Sequence, residues 1–319
     1  MFRLRTGYFI GGIATGLALI FSFIFTLPDG KLHLYFCDVG QGDAAYVRFP
    51  DGRDMLVDGG PNDKVLGCLG KYMPFWDRHI NIVLMTHPQR DHLQGLIAVL
   101  DRYDVDYFVR SDIDNATEGY QELQDVVKKK NIPVKFATRG ETISVASTTL
   151  SVLWPSSDQI ARMKPTLSSS GPLSPLSPQV LGSQSTDLND GSIVFWLRYG
   201  SFDALFTGDA DTHVEENYRN EVALRLRSGQ ALNVLEVLKV PHHGSKTGIS
   251  ETFIQRLKPK LAVISVGKNS YGHPNAEIIN RLADTESRVL RTDQEGDIEV
   301  VSDGKNWIVE TGKNKYGIK

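Results

Sequence analysis

A chain of 319 residues, 41% hydrophobic and carrying 29 Gly and 14 Pro, has an ordinary globular composition, long enough for one large core or two small ones. A net charge of −3 excludes a global attraction to nucleic acid or an anionic membrane, so any such binding must come from a local patch. The two cysteines, Cys37 and Cys68, lie in apolar contexts with no C-x-x-C pair; buried thiols are expected, and metal ligands must be His and carboxylate.

From Thr6 to Pro28 no residue is charged, and the run Tyr8 to Leu27 is long enough to cross a bilayer as a helix. Arg3 and Arg5 precede it, which by the positive-inside bias puts the N-terminus in the cytoplasm and the rest outside. A cleaved signal peptide is the rival reading, but no small-x-small cleavage site stands at its end. The expectation is a single-pass membrane anchor over residues 1–30 followed by one extracytoplasmic domain over 31–319.

Leu32 to Cys37 alternates as a strand, and Asp38-Val39-Gly40-Gln41-Gly42-Asp43 forms a Gly-punctuated turn in which Asp38 and Asp43 are read as turn formers. A second strand, Ala44 to Phe49, turns at Pro50-Asp51-Gly52 into a third, Met55-Leu56-Val57, which stops at Asp58-Gly59-Gly60. The apolar run Asn81 to Met85 ends in Thr86-His87-Pro88-Gln89-Arg90-Asp91-His92, a metal-ligand spacing. His87 and Gln89, two apart on extended backbone, share a side. Asp91 and His92 open a helix whose Leu93, Leu96, Ile97, Val99 and Leu100 have helical apolar spacing. A further strand, Tyr107-Phe108-Val109, precedes a helix from Tyr120 to Lys130.

Ser, Pro, Gly and Leu recur between about Ser156 and Asp190, too poor in apolar content to fold alone, and read as a long loop inserted into one domain. The strand pattern resumes at Ser192 to Leu197. Ala204-Leu205-Phe206 ends in Thr207-Gly208-Asp209, where Gly208 turns the backbone so that Asp209 faces the cleft. The strand Val234 to Val240 ends in Pro241-His242-His243-Gly244-Ser245-Lys246; consecutive His diverge, so one of the two is expected as a ligand. Leu261 to Val266 ends in Gly267-Lys268-Asn269-Ser270-Tyr271-Gly272-His273-Pro274. Four polar blocks following four apolar strands argue for one cleft at a sheet edge. Five of the eight His lie in these blocks; His33, His79 and His213 do not and are read as surface or strand residues.

The block at His87 resembles the H-x-H-x-D-H signature of the metallo-β-lactamase superfamily, with Gln89 in place of the second His. Together with Asp38 to Asp43 and Val57 to Gly60, it resembles the extracytoplasmic domain of ComEC-type competence proteins over about Lys31 to Val309. The resemblance implies an α/β fold, the αββα sandwich, and a site holding one or two divalent ions, zinc or manganese. His87, Gln89, Asp91, His92, Asp209, His242 and His243 are the expected ligand set, with Asp209 resembling the family's bridging carboxylate. Asp58, Asn189 and Ser192 are expected to support the ligands; Asn189 or Ser192 fills the family-like position of an absent third His.

Such an ion lowers the pKa of bound water toward ~7 and polarises the scissile bond, which suits a hydrolase. Asp91 is placed to bind metal or take a proton, and Lys246 and His273 to stabilise charge or protonate a leaving group. A Ser245 nucleophile beside His243 competes weakly, because no Gly-x-Ser-x-Gly elbow exists. Gln89 is a neutral ligand, which leaves the site around His87 poorly furnished. The resemblance implies a phosphodiester substrate, single-stranded DNA outside the cell being the leading example. One expected membrane segment leaves no room for a channel, so a separate channel protein is the expected partner for DNA import. The alternatives are the same hydrolase on a non-nucleic ester, and a non-catalytic subunit that binds DNA or a partner.

Overall fold

Short alternating runs closed by Gly and Asp turns form hairpins at the start of the chain, and strand-helix alternation follows. The computed structural model describes residues 11–16, 27–164, 187–228, 235–312 and 315–318. In chain order the strands are β1 (Leu32–Phe36), β2 (Ala45–Arg48), β3 (Asp54–Val57), β4 (His79–Met85), β5 (Asp104–Arg110) and β6 (Val134–Phe136). Then come β7 (Thr142–Val145), β8 (Thr148–Trp154), β9 (Val194–Tyr199), β10 (Phe202–Phe206), β11 (Val237–Lys239), β12 (Leu261–Ile264) and β13 (Arg288–Arg291). The chain ends with β14 (Ile298–Ser302), β15 (Trp307–Thr311) and β16 (Lys315–Ile318).

Among the described residues these form two sheets, ordered β16-β15-β14-β1-β2-β3-β4-β5-β6 and β13-β12-β11-β10-β9-β8-β7. Leu34, Val47, Val57 and Leu84 of the first sheet meet Leu150, Phe195, Ala204 and Val263 of the second in one buried core. The outer face of the first sheet packs on helices Arg90–Arg102 and Glu118–Lys129 through Leu96, Val99, Leu100 and Leu123. The outer face of the second packs on Thr212–Ser228, Glu251–Leu257 and Ala276–Ala283 through Val214, Phe253, Ile254, Ile278 and Leu282. The result is the αββα sandwich. Strands β3, β4 and β5 run parallel in one sheet and β10 to β13 in the other, so their C-terminal ends gather the loops that follow them.

Helix Arg90–Arg102 forms where expected, and all five apolar positions from Leu93 to Leu100 are buried, each such side chain contributing about 1.5–3 kcal/mol. Its first turn rides on the Asp58-Gly59-Gly60 loop: Gly59 N–H donates to His92 O (2.7 Å) and Gly95 N–H to Gly60 O (2.9 Å). A Cβ at Gly95 would stand 1.9 Å from the Gly59 carbonyl, so this close approach requires glycine.

Three expectations change. Cys37 and Cys68 form a disulfide instead of two thiols, because the end of β1 and helix Val65–Tyr72 bring their Cα atoms to 5.9 Å across 31 residues of sequence. The helix expected from Tyr120 to Lys130 is Glu118–Lys129, and among the described residues the strand before His242 is Val237–Lys239, Val234 lying outside them. Most of the Tyr8 to Leu27 run and residues 165–186 of the Ser/Pro-rich stretch lie outside the described residues; among the described residues no helix is long and apolar enough to cross a membrane.

Candidate metal centre

The loops after β3, β4, β10, β11 and β12 converge at one edge of the sandwich. Asp91 and His92 come from the start of helix Arg90–Arg102, Asp209 from the turn after β10, and His243 from the turn after β11. Their ligand atoms all lie within 4.8 Å of one another. Gly208, at φ +50°, makes the turn that delivers Asp209. His242 and His243 are both left-handed, at φ 49° and 53°, a strained pair that splays the two imidazoles apart.

His92 Nδ1 lies 2.8 Å from Asp58 Oδ2 and donates to it, and His243 Nδ1 donates to the Ser265 carbonyl at 2.8 Å. Both arrangements leave Nε2 as the ring atom available to an ion. His92 Nε2 then stands 3.3 Å from Asp209 Oδ2, and His243 Nε2 3.3 Å from Asp91 Oδ2 and 3.4 Å from Asp209 Oδ2. Among the described residues both Nε2 atoms and Asp209 Oδ1 are buried without a hydrogen bond. Imidazoles oriented through their second nitrogen, with orphaned donors converging on two carboxylates, fit a divalent ion. Asp58, almost fully buried, also accepts from Thr86 N–H and Oγ1–H, both at 2.7 Å.

Charge in this cluster is strongly coupled. Burial works to lower the pKa of His92, but Asp209 and Asp58 overcome it and raise it well above the usual value. His243 is likewise depressed by burial and lifted, by Asp209 and then Asp43, to about 10. For Asp91 burial works upward, and the His243 imidazole 3.3 Å away and the charge on His92 bring it below the ordinary carboxylate range. Without an ion, therefore, the carboxylates hold protons on the imidazoles that an ion would displace.

The remaining expected residues are distributed around this group. His87 is buried with its ring 4.1 Å from that of His92; its Nδ1 faces Thr86 Oγ1 at 3.1 Å, and its Nε2 has no hydrogen-bond partner among the described residues. Burial and then His92 push its pKa down to about 3. Gln89 lines the cleft, and neither it nor His87 belongs to the group of four. His242 turns to Asp211, 3.0 Å from its Nδ1, and Asn189 Nδ2 lies 3.5 Å from its ring nitrogens. Ser192 Oγ accepts from the Asp209 N–H at 3.2 Å. His273 lines the cleft with its ring 5.5 Å from that of His242. Lys246 is 72% exposed, stands 3.8 Å from Glu277, and is not among the residues lining the cleft. Ser245 Oγ pairs with Thr247, while His243 is engaged elsewhere, so no serine–histidine pair forms.

Two residues escaped the sequence reading. Lys239, buried in β11, pairs with Asp43 Oδ2, stands 3.7 Å from Asp209 Oδ1 and donates to the Gly208 carbonyl at 3.1 Å. Asp43, read as a turn former, is its partner and sits 3.6 Å from His243 Nδ1. A lysine inside the apolar run Val237-Leu238-Lys239-Val240 was the available signal. The cleft above the cluster has a volume of about 570 Å³ and is lined by Gln41, Arg90, Lys268, Tyr271 and His273, among others.

The family model of the metallo-β-lactamase superfamily matches residues 37–268, which include every residue of the cluster. The chain belongs to the metallo-β-lactamase superfamily. Within it, the chain is 26% identical to ComE operon protein 3 of Bacillus subtilis over 314 residues, 91% of this chain and 35% of that protein. It is 24% identical to Recombination protein 2 of Haemophilus influenzae over 269 residues, 82% of this chain and 28% of that protein. A shorter match, 34% over 117 residues, links it to competence protein ComA of Neisseria gonorrhoeae, covering 36% of this chain and 16% of that one. The chain thus spans about a third or less of these relatives, and the similarity bears out the ComEC-type resemblance. Among solved structures, the metallo-β-lactamase fold protein YhfI of Bacillus subtilis aligns with a TM-score of 0.50 at 11% identity, covering 84% of this chain and 99% of that one.

Proposed function

We propose that this superfamily member is a metal-dependent phosphodiesterase or nuclease, anchored in the membrane with its domain outside the cytoplasm. One observation carries the reading: two imidazoles, each oriented through Nδ1, aim free Nε2 atoms at two carboxylates beneath an open cleft. Asp91, His92, Asp209 and His243 would hold a divalent ion, zinc or manganese, which when bound supplies Lewis-acid polarisation of a phosphoryl oxygen.

The chain's own residues supply the rest. Asp58 and Ser265 fix the tautomers of the two imidazoles, and Lys239 offsets part of the carboxylate charge below them. Arg90 and Lys268 line the cleft as cations suited to a substrate phosphate. His273, whose pKa is lowered by burial and then by His242 and His243, is neutral near pH 7 and offers an N–H to a substrate oxygen. The similarity to competence proteins favours DNA as substrate, and the Cys37–Cys68 disulfide favours an oxidising, extracytoplasmic setting. DNA passage under this reading needs a membrane channel beyond this domain.

The test is hydrolysis of a chromogenic phosphodiester and of labelled single-stranded DNA with manganese, zinc or magnesium, beside an Asp209→Asn control. Metal-dependent turnover absent from the control is expected. Folded, metal-loaded protein that cleaves neither substrate would sink the phosphodiesterase reading and leave a binding subunit or another hydrolase.

A further inference from the structure

The end of the sandwich opposite the cleft carries an aromatic pair with no place in the site. Phe75 and Trp76 occupy the centre of a turn closed by Asp77 N–H to the Pro74 carbonyl (2.9 Å). They are 64% and 42% exposed, and their rings meet edge to face at 4.7 Å. The turn lies just before β4, whose first residue, His79, donates its N–H to Asp77 Oδ1 at 3.0 Å. Because the C-terminal end of β4 leads into His87, the N-terminal end carries this turn at the far side of the sheet.

Leu27 and Pro28, which close the uncharged run, enter the domain at that same end. Pro28 packs on Gly52 in the β2–β3 hairpin, and the Tyr199 hydroxyl donates to the Gly30 carbonyl at 3.0 Å. The hairpin is tied to the start of β4 by reciprocal bonds between Asp54 and Asn81. β1 and β4 are three strand spacings apart, about 14 Å, so the Phe75–Trp76 turn stands beside the point where the apolar run enters. Leu27, where the described chain resumes, is itself 48% exposed.

We propose that the Phe75–Trp76 turn is a second membrane contact, seated in the lipid interface beside the N-terminal segment. Amphipathic aromatic rings favour that interface, and a turn-tip Trp with a neighbouring Phe is suited to entering it. The contact is apolar in origin: Asp29, Asp51, Asp77, Asp104 and Asp106 at this end are interspersed with Lys31, Arg53, Arg78 and Arg102, which leaves no strong charge of one sign for headgroups to attract. Two contacts instead of one tether fix the domain's orientation, holding the cleft a β4 length, about 23 Å, or more from the bilayer. This inference rests on the anchored reading above and is independent of the reaction catalysed.

Tryptophan emission tests it, because Trp154, Trp196 and Trp307 are buried and Trp76 alone of the four is exposed. The full chain is reconstituted into phosphatidylcholine vesicles with and without brominated acyl chains. Expected is quenching with bromolipid that disappears in Trp76→Phe, weakens in Phe75→Ser and is insensitive to salt. Vesicle flotation is measured on the same samples. Protein that floats but shows equal emission in both lipids overturns the second contact while leaving the anchor; protein that does not float overturns both.

Discussion

Breaking the Cys37–Cys68 bond, by reduction or by the pair Cys37→Ser and Cys68→Ser, should lower unfolding stability without dismantling the fold. The bridge closes a loop across 31 residues of sequence, joining the end of β1 to helix Val65–Tyr72, and both cysteines are buried. Chain-entropy reasoning for a loop of that length gives about 3.5 kcal/mol, a few-hundred-fold change in the unfolding equilibrium. The loss falls on the unfolded state, so the metal-binding cluster should still assemble in the reduced protein at low temperature. Urea unfolding of the full chain, followed by the emission of its buried tryptophans with and without dithiothreitol, measures the difference directly. Coincident midpoints, or two thiols reacting with Ellman's reagent in unfolded protein never exposed to reductant, would refute the reasoning. The second outcome would also remove the chemical argument for an oxidising compartment.

Asp58→Asn, which weakens the acceptor orienting His92, should reduce metal affinity about 10–100-fold while leaving the ligand set intact, as metal-binding isotherms would report; an unchanged affinity would mean that Asp58 has no orienting role. Loading should release protons, because His92 and His243 are held protonated in the ion-free protein: affinity should rise with pH, and calorimetric titrations in two buffers of different ionisation enthalpy should disagree. The linked stability has the opposite slope: the raised His243 pKa stabilises the ion-free fold fully below the ordinary value of 6.5, and that contribution is lost as pH rises through about 10. Lys239→Met strands Asp43 and should cost about 3–5 kcal/mol of stability in chemical denaturation; a loss below a tenth of that would show the buried lysine to be dispensable.

The blocks that carry the chemistry were legible because each follows a short apolar strand. A strand end is a local feature: β4 delivers His87 and the start of the next helix, β10 delivers Asp209, and β11 delivers the His pair, all readable from runs of three to seven residues. The helical spacing of Leu93 to Leu100 similarly fixed which way helix Arg90–Arg102 faces, and with it the side on which Asp91 and His92 begin. What the chain alone could not decide was adjacency between distant segments. His243 rather than His242 enters the cluster because two consecutive left-handed residues splay the pair, and backbone strain leaves no mark in composition. Lys239 reads as an anomaly in an apolar strand until Asp43, far away in sequence, closes on it, and Cys37 reads as a thiol until helix packing brings Cys68 to it. Local pattern follows from backbone periodicity and so is written in the sequence. Charge compensation, covalent pairing and ligand choice depend on distances of a few ångströms between segments, which only the packed sandwich sets.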